Sequence, residues 1–517
     1  MAKSNKQVTA ISTLGELKKS GYKPVSVKEE LRRNLVKKIK SGEPVFEGIY
    51  GFEHTVLPDL ERAILSRHNI ILLGLRGQAK TRIARRMVEL LDPYMPIVAG
   101  SDLSDDPMAP ISRYAKDLIA EKGDATPIAW VPREERFTEK LATPDVSVAD
   151  LIGDVDPIRA ATLKLPYSDE RVIHFGLIPR SHRGIFVINE LPDLQARIQV
   201  ALFNMLQEGD IQIRGFRVRM PLDIQFVFTA NPEDYTNRGA IITPLKDRIE
   251  SQILTHYPKD MATARKITDQ EADLHPEQAA LVKVNELARD LIEALAFEAR
   301  NSEYVDQKSG VSARMTITAL ENLVSAAERR ALRNGEDLTY VRMSDFWGVI
   351  PAITGKVELV YEGEQEGPFI VALNLIGKSV RRLFTDYFPE PDAAKKKIKK
   401  GGKTDTAAAD TSIYFDLVNW FNEGNSVDML NDLSEKAYRK ALEAVPGLQR
   451  LVKKQFPQIP ADEQYFLMEF VLHGLAEYSQ LNKQLLTTGV VFKDLFSSMF
   501  DSAGMDNLDT EEEDDLY

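Results

Sequence analysis

The stretch Ile70-Ile71-Leu72-Leu73-Gly74-Leu75-Arg76-Gly77-Gln78-Ala79-Lys80-Thr81 decides the reading of this chain. Four apolar residues predict a buried strand, a small-residue turn follows, and a helix over Arg82 to Leu91 carries Lys80-Thr81 at its start. Backbone N–H groups in such a turn, together with a helix N-terminus, present partial positive charge to a polyphosphate. Lys80 adds a point charge for β and γ phosphates, and the Thr81 hydroxyl is a ligand for Mg²⁺. The spacing fits G-x-x-x-x-G-K-[ST] with one departure, Ala79 in place of the second glycine. The candidate nucleotide contacts are therefore Gly74, Leu75, Arg76, Gly77, Gln78, Ala79, Lys80, Thr81 and Arg82.

Composition bounds the rest. A chain of 517 residues with 43% hydrophobic content has room for several packed domains. With no cysteine, disulfides and thiolate metal sites are excluded. His54, His68, His174 and His182 show no ligand spacing and read as surface or packed histidines. No apolar run is long enough for a bilayer and no secretory leader is apparent, so a cytoplasmic protein without a membrane span is expected. The net charge of −12 is unevenly placed: Asp506 to Asp515 hold seven acids, whereas Met1 to Gly42 hold eleven Lys/Arg against three Glu.

In chain order, residues 1–25 read as weakly structured. Ser26-Val27-Lys28-Glu29 is a capping-box pattern that opens a basic leader helix with Leu31, Leu35, Val36 and Ile39 on its apolar stripe. Ile49-Tyr50-Gly51, just upstream of the strand and turn, is a candidate contact for a nucleotide base. Residues 100–136, rich in Asp and Pro, read as a mostly irregular excursion. A second apolar strand, Gly184-Ile185-Phe186-Val187-Ile188, ends in Asn189-Glu190. There Glu190 is placed to polarise an attacking water and Asn189 stands where an Asp normally holds the Mg²⁺ water shell, so weakened metal binding or turnover is expected.

A helix over 194–208 leads into a β-hairpin bearing Arg214, Arg217 and Arg219. The next strand, Ile224 to Ala230, ends at Asn231, a polar residue suited to orienting the water. Pro244-Leu245-Lys246-Asp247-Arg248 puts an arginine in a loop, and Arg314 precedes a helix that begins near Thr316. Both guanidiniums suit developing phosphoryl charge. The alternation of strands and helices predicts an α/β fold with a parallel sheet, then a helical lid and an α-helical C-terminal domain. Expected boundaries are 1–44 leader, 45–260 core, 261–355 lid, 356–388 connecting helical segment, 389–412 flexible Lys-rich linker, 413–505 helical domain and 506–517 acidic tail.

These residues carry a resemblance. Gly74 to Thr81, Leu177-Ile178-Pro179-Arg180-Ser181-His182-Arg183-Gly184 leading into Asn189-Glu190, Asn231, Asp247-Arg248 and Arg314 resemble MoxR-like ATPases and the magnesium chelatase I subunit. Both are AAA+ ATPases of the helix-2-insert clade. The resemblance implies a P-loop AAA+ fold with an insert at about 154–176, Walker A at 74–81, Walker B at 185–190, sensor 1 at Asn231, a finger acting in trans at Arg248 and sensor 2 at Arg314. It further implies ATP and Mg²⁺ as cofactors, a homo-oligomeric hexameric ring, and remodelling or activation of a protein partner, such as one bearing a von Willebrand factor A domain. Three alternatives stand beside it: a DNA-acting motor or transcriptional regulator, a magnesium chelatase-type subunit, and an ATP-binding scaffold with little hydrolysis. The acidic body and the lack of a recognisable DNA-binding module count against nucleic acid.

Overall fold

A computed structural model of the chain describes residues 9–167, 169–213, 219–232, 240–391 and 407–495. Arg214 and Arg217 of the expected hairpin, the lysines from Lys395 to Lys403 and the acidic tail lie outside the described residues. The chain divides into two units, Met1–Tyr257 and Pro258–Tyr517.

The first unit is organised by a five-stranded sheet. In chain order its strands are β1 (Ile70–Leu73), β2 (Phe137–Leu141), β3 (Gly184–Asn189), β4 (Ile224–Ala230) and β5 (Ser251–Leu254). The spatial order is β5-β1-β4-β3-β2 and every neighbouring pair is parallel. β1, β3 and β4 are buried at every residue, as expected of central strands covered on both faces; β1 and Gly184–Ile188 of β3 are unbroken apolar runs, whereas β4 also buries Gln225, which donates to the His68 carbonyl, and Thr229. β2, whose sequence is Phe-Thr-Glu-Lys-Leu, has charged residues suited to an edge.

Side chains alternate across a strand, and the two cores follow that alternation. Ile70, Leu72, Ile185, Val187, Val227 and Ile253 point into one core, together with Leu31, Leu35, Leu60, Ile64, Ile83 and Met87 from helices. Ile71, Leu73, Phe186, Ile188, Phe226 and Phe228 point into the other, against Leu151, Ile178, Ile198, Leu202 and Leu245. The unit is thus a helix–sheet–helix sandwich, the α/β fold expected.

The helices carry several corrections. Residues 9–25 are not featureless: α1 (Leu14–Lys19) has a complete capping box on Thr13 and buries Leu14 and Leu17. α2 (Val27–Ser41) starts as expected at Ser26, whose side chain accepts the Glu29 N–H, but Glu29 turns its carboxylate to Arg32 and Arg67 instead of closing the box. Leu31 and Leu35 of α2 are buried while Ile39 is exposed, so its stripe is shorter than the sequence suggests. α2 is bound to the sheet through a buried ion pair, Glu30 with Arg136 at 2.6 Å, and Arg136 also donates to the Arg183 carbonyl. Arg183 in turn pairs with Asp106 at 2.9 Å.

Residues 100–136 are ordered. Fully buried Asp105 accepts from the N–H groups of Ile111 and Ser112 and from the hydroxyls of Ser101 and Ser112, which satisfies its charge and shapes the loop. A helix at Arg113–Lys122 and a strand at Ile128–Pro132 follow. Residues 153–176 form a small hairpin, Gly153–Val155 against Ile173–Phe175, with a helix at Pro157–Leu163 between its strands. A Cβ on Gly153 would lie 2.3 Å from the His174 carbonyl oxygen, and one on Gly176 would lie 2.5 Å from backbone of Leu151, so both ends of the hairpin need glycine. The Arg-bearing hairpin is present as Asp210–Gln212 against Arg219–Pro221.

The second unit is mainly helical. Its longer helices include Glu286–Asn301, Arg314–Asn334, Pro368–Tyr387 and Gln464–Glu477. Two expectations change here. Buried side chains within 261–355 and within 413–495, the described part of the expected 413–505 domain, share one continuous hydrophobic core with those of the connecting segment, in which Leu291, Leu323, Leu383, Phe470 and Phe492 all take part. The C-terminal part is also not wholly helical: Val427–Leu430, Gly489–Lys493 and Asn482–Leu486 form a three-stranded antiparallel sheet. A helix over Ala407–Asn422 begins inside the stretch expected to be linker. Glu469, fully buried, accepts from the N–H groups of Met343 and Ser344 and from Tyr438, and burial pushes its carboxyl up to about 7. No helix among the described residues is long and apolar enough to cross a membrane.

Candidate functional site

The site forms where β1, β3 and β4 end and α3 (Lys80–Arg86) begins. Gly74 must be glycine: a Cβ there would sit 1.9 Å from Thr255 Oγ1 and 2.2 Å from Gln78 Oε1. The turn is held from outside by residues just after β5. Thr255 Oγ1 donates to Gln78 Oε1 at 2.8 Å, and Tyr257 donates to the Arg76 carbonyl at 2.8 Å. Gly77 and Ala79 both adopt left-handed backbone, with φ of 71° and 55°. For Ala79 that conformation carries a cost of about 1 kcal/mol, and alanine is also a poor residue at the helix N-cap it occupies. Ala79→Gly should therefore raise the stability of this unit by about 1 kcal/mol in urea denaturation, after the entropy of the freer unfolded chain is deducted; a loss of stability would contradict the strain.

Lys80 is buried, and its ammonium donates to the carbonyls of Gly74 and Leu75 and, at 2.7 Å, to Asn231 Oδ1. Asn231 Nδ2 donates to Glu190 Oε2 at 3.2 Å. A continuous bonded path thus runs Lys80–Asn231–Glu190. Glu190 sits in left-handed backbone at φ 55°, and its N–H donates to Thr229 Oγ1. Beside it, Thr81 Oγ1 donates to Asn189 Oδ1 at 3.4 Å, and Thr229 Oγ1 donates to the same oxygen at 3.0 Å. Asn189 Nδ2 donates to Glu139 Oε1 at 2.6 Å.

Lys80, Thr81, Asn189, Glu190 and Asn231 are therefore brought together from segments up to 151 residues apart. The remaining candidates lie on other elements. Ile49 is buried in the core under β1, Tyr50 is exposed, and Gly51 adopts φ 80° and donates to Glu53. Arg248 ends the helix Thr243–Arg248, where its guanidinium lies 4.0 Å over the Phe203 ring and donates to Gln207 and the Pro244 carbonyl. Arg314 opens its helix in the second unit, two residues earlier than expected. His182 accepts the Asp223 N–H, and burial beside Arg183 lowers its pKa to about 4, so it is neutral near pH 7.

Sequence reading missed Thr229, Thr255, Tyr257 and Glu139. Glu139 lay on a strand that had not been assigned, and the others lie at strand ends whose neighbours are far along the chain. Alternation held the signal: Val187 and Val227 face the same core as Ile83 of α3, and two residues on from each come Asn189 and Thr229. Phe137, two residues before Glu139, packs on that core too.

Comparison with known proteins matches residues 166–252 to the model of the sigma-54 interaction domain. The chain is 25% identical over 197 residues to the magnesium-chelatase 38 kDa subunit of Cereibacter sphaeroides, over 38% of this chain and 53% of that one. This core resembles the AAA+ ATPases. The corresponding subunit of Rhodobacter capsulatus is likewise 25% identical, with 50% of it covered, so the match spans about half the length of these curated relatives. Among solved structures, the BchI–BchD complex of magnesium chelatase aligns at 20% identity and TM-score 0.32, covering 62% of this chain and 98% of that one. NtrX from Brucella abortus with ADP aligns at 12% identity and TM-score 0.37, covering 71% of each chain.

An AAA+ core implies a nucleotide, usually with Mg²⁺. The residues present fit that pair. An ammonium lies inside the turn, and the Thr81 hydroxyl and the Asn189 oxygen meet at its edge. Mg²⁺ bound with a nucleotide needs few protein ligands because phosphates and waters supply the rest. Among the described residues no cluster of three or more His, Cys, Asp or Glu suited to a metal occurs.

Proposed function

We propose that this chain is an ATPase that assembles into a homo-oligomeric ring, hexameric by resemblance, and couples ATP binding and hydrolysis to remodelling or activation of a protein partner. The observation that supports this reading is the path Lys80–Asn231–Glu190, which ties an ammonium inside the turn to a carboxylate at the tip of strand β3. In this reading the N–H groups of residues 74–81 and Lys80 Nζ bind the β and γ phosphates. Thr81 and Asn189 hold Mg²⁺, which when bound neutralises charge on the phosphate oxygens. Glu190 orients the attacking water and accepts its proton, while Asn231 fixes the Glu190 carboxylate by its Nδ2 and senses Lys80 by its Oδ1.

In this reading the segment Ile49-Tyr50-Gly51, anchored by Ile49 in the core, supplies the contact for the base. Arg248 serves a neighbouring copy's nucleotide, and Arg314 serves as the lid's arginine. A planar guanidinium suits both tasks. The partner we would seek first bears a von Willebrand factor A domain. Two results are expected of the purified chain: ATP turnover per chain that rises with protein concentration, and a mass in ATP by light scattering that is a multiple of one chain. Concentration-independent turnover from a monomer would sink the ring.

A second reading, a regulator acting at DNA, is favoured by the match of residues 166–252 to the sigma-54 interaction model. It requires DNA binding that weakens steeply with salt, which the first reading does not. The curated relatives favour a chelatase-type subunit as a third reading, which requires companion subunits for activity.

A further inference from the structure

Asn189 occupies the position where a carboxylate is expected beside the metal, yet a carboxylate is present one strand away. Glu139 of the edge strand β2 stands opposite Val187 in the parallel register with β3, two residues before the Leu141–Asn189 pair. Its Oε1 accepts from Asn189 Nδ2 at 2.6 Å, and its Oε2 accepts from Arg85 Nε at 2.8 Å. Arg85 is mostly exposed, with 63% of its side chain accessible, whereas the Glu139 side chain is 23% accessible. Water therefore screens the arginine more than the acid it anchors.

An ionised carboxylate only accepts hydrogen bonds. Glu139 thus obliges Asn189 to turn its NH₂ outward and its carbonyl oxygen inward, and two further contacts agree with that orientation. Thr81 and Thr229 both donate their hydroxyls to Asn189 Oδ1. Thr229 in turn accepts the N–H of Glu190, so the same chain of bonds reaches the residue proposed to act on water.

We infer that Glu139 is the positioning residue of the Mg²⁺ site: it locks the Asn189 amide with its oxygen toward Thr81 and supplies, through that amide, the negative charge that asparagine lacks. The inference rests on the reading of this site as one for a Mg²⁺-nucleotide. In effect the carboxylate is moved from β3 to β2 and acts through an amide. A single change at Asn189 does not restore the usual arrangement, because an aspartate there would face Glu139 at hydrogen-bond distance as a like charge. Exchanging both groups re-forms one amide and one carboxylate, with the charge now on the inner side.

The test is the ratio of affinities for a fluorescent ADP analogue in MgCl₂ and in EDTA, measured on the full chain alongside thermal melts that confirm folding. Wild type is expected to bind more tightly with Mg²⁺. Glu139→Gln should lower that ratio by about tenfold, the effect typical of groups that orient a metal's ligands. Asn189→Asp alone should lower it as well. The double variant Glu139→Gln with Asn189→Asp should return it to within about threefold of wild type, a recovery expected only of coupled neighbours. An Asn189→Asp ratio equal to or above wild type, or a double variant no better than the single ones, would overturn the inference while leaving nucleotide binding intact. If wild type bound the analogue in neither condition, the reading of the site would itself fall, and the inference with it.

Discussion

Replacing Glu190 by Gln is expected to lower ATP hydrolysis by at least about a hundredfold while changing nucleotide affinity by less than about threefold. Gln keeps the size of the side chain and can still accept from Asn231 Nδ2, the contact that holds Glu190 Oε2 at 3.2 Å. What it loses is the negative oxygen that takes a proton from water. The left-handed backbone at Glu190, φ 55°, is unaffected by the change, so the variant should fold as wild type does. Single-turnover phosphate release gives the rate, and titration with a fluorescent ATP analogue gives the affinity. Equal rates in the two proteins would place the group that acts on water elsewhere. Phosphate release from neither would favour the ATP-binding scaffold.

Lys80→Met should weaken nucleotide binding by about a hundredfold or more, close to 3 kcal/mol. Methionine keeps an unbranched apolar stem in the buried position but removes the ammonium that donates to the Leu75 carbonyl at 3.0 Å and to Asn231 Oδ1 at 2.7 Å. A ligand that binds only the folded state stabilises it by about 2.7 kcal/mol at a hundred times its dissociation constant. Wild type at that concentration of ATP should therefore melt several degrees higher than without it, and the variant should show almost none of that shift. An undiminished shift would remove Lys80 from the phosphate site. The paired measurement without ATP separates this loss from any change in the stability of the turn itself.

The two variants probe opposite ends of one bonded path, and the difference between them is informative. Lys80→Met acts on binding, Glu190→Gln on turnover, and Asn231 touches both partners. If the proposed coupling is correct, the first should reduce the population that holds nucleotide and the second should leave it intact but idle.

Particular elements show how far the amino-acid sequence reaches. The strand Ile70–Leu73, the turn to Thr81, the strand Gly184–Asn189 and the strand Ile224–Ala230 were legible because each central strand is short and mostly apolar, and two of them run into a polar tip, Asn189-Glu190 and Asn231. Their acid, amide and lysine were legible with them. Residues 100–136 were not, because a polar segment rich in Asp and Pro resembles a loop until one sees that Asp105 is buried and bonded on both oxygens. The C-terminal sheet was not legible either: Val427–Leu430 is a short strand whose partner, Gly489–Lys493, lies some 60 residues on, and short strands carry too little local signal to declare a distant pairing.

The turn from Gly74 to Thr81, the two strand tips that flank it and the resemblance that their order carries could be read from residues alone, since all of these are written in contiguous stretches. Only the tertiary structure decided what faces Asn189. Alternation assigns each residue of a strand to a face, but it becomes a contact only when the order and register of the strands are set. The parallel pairing of Phe137–Leu141 with β3 brings Glu139, fifty positions away in the chain, to within 2.6 Å of the amide.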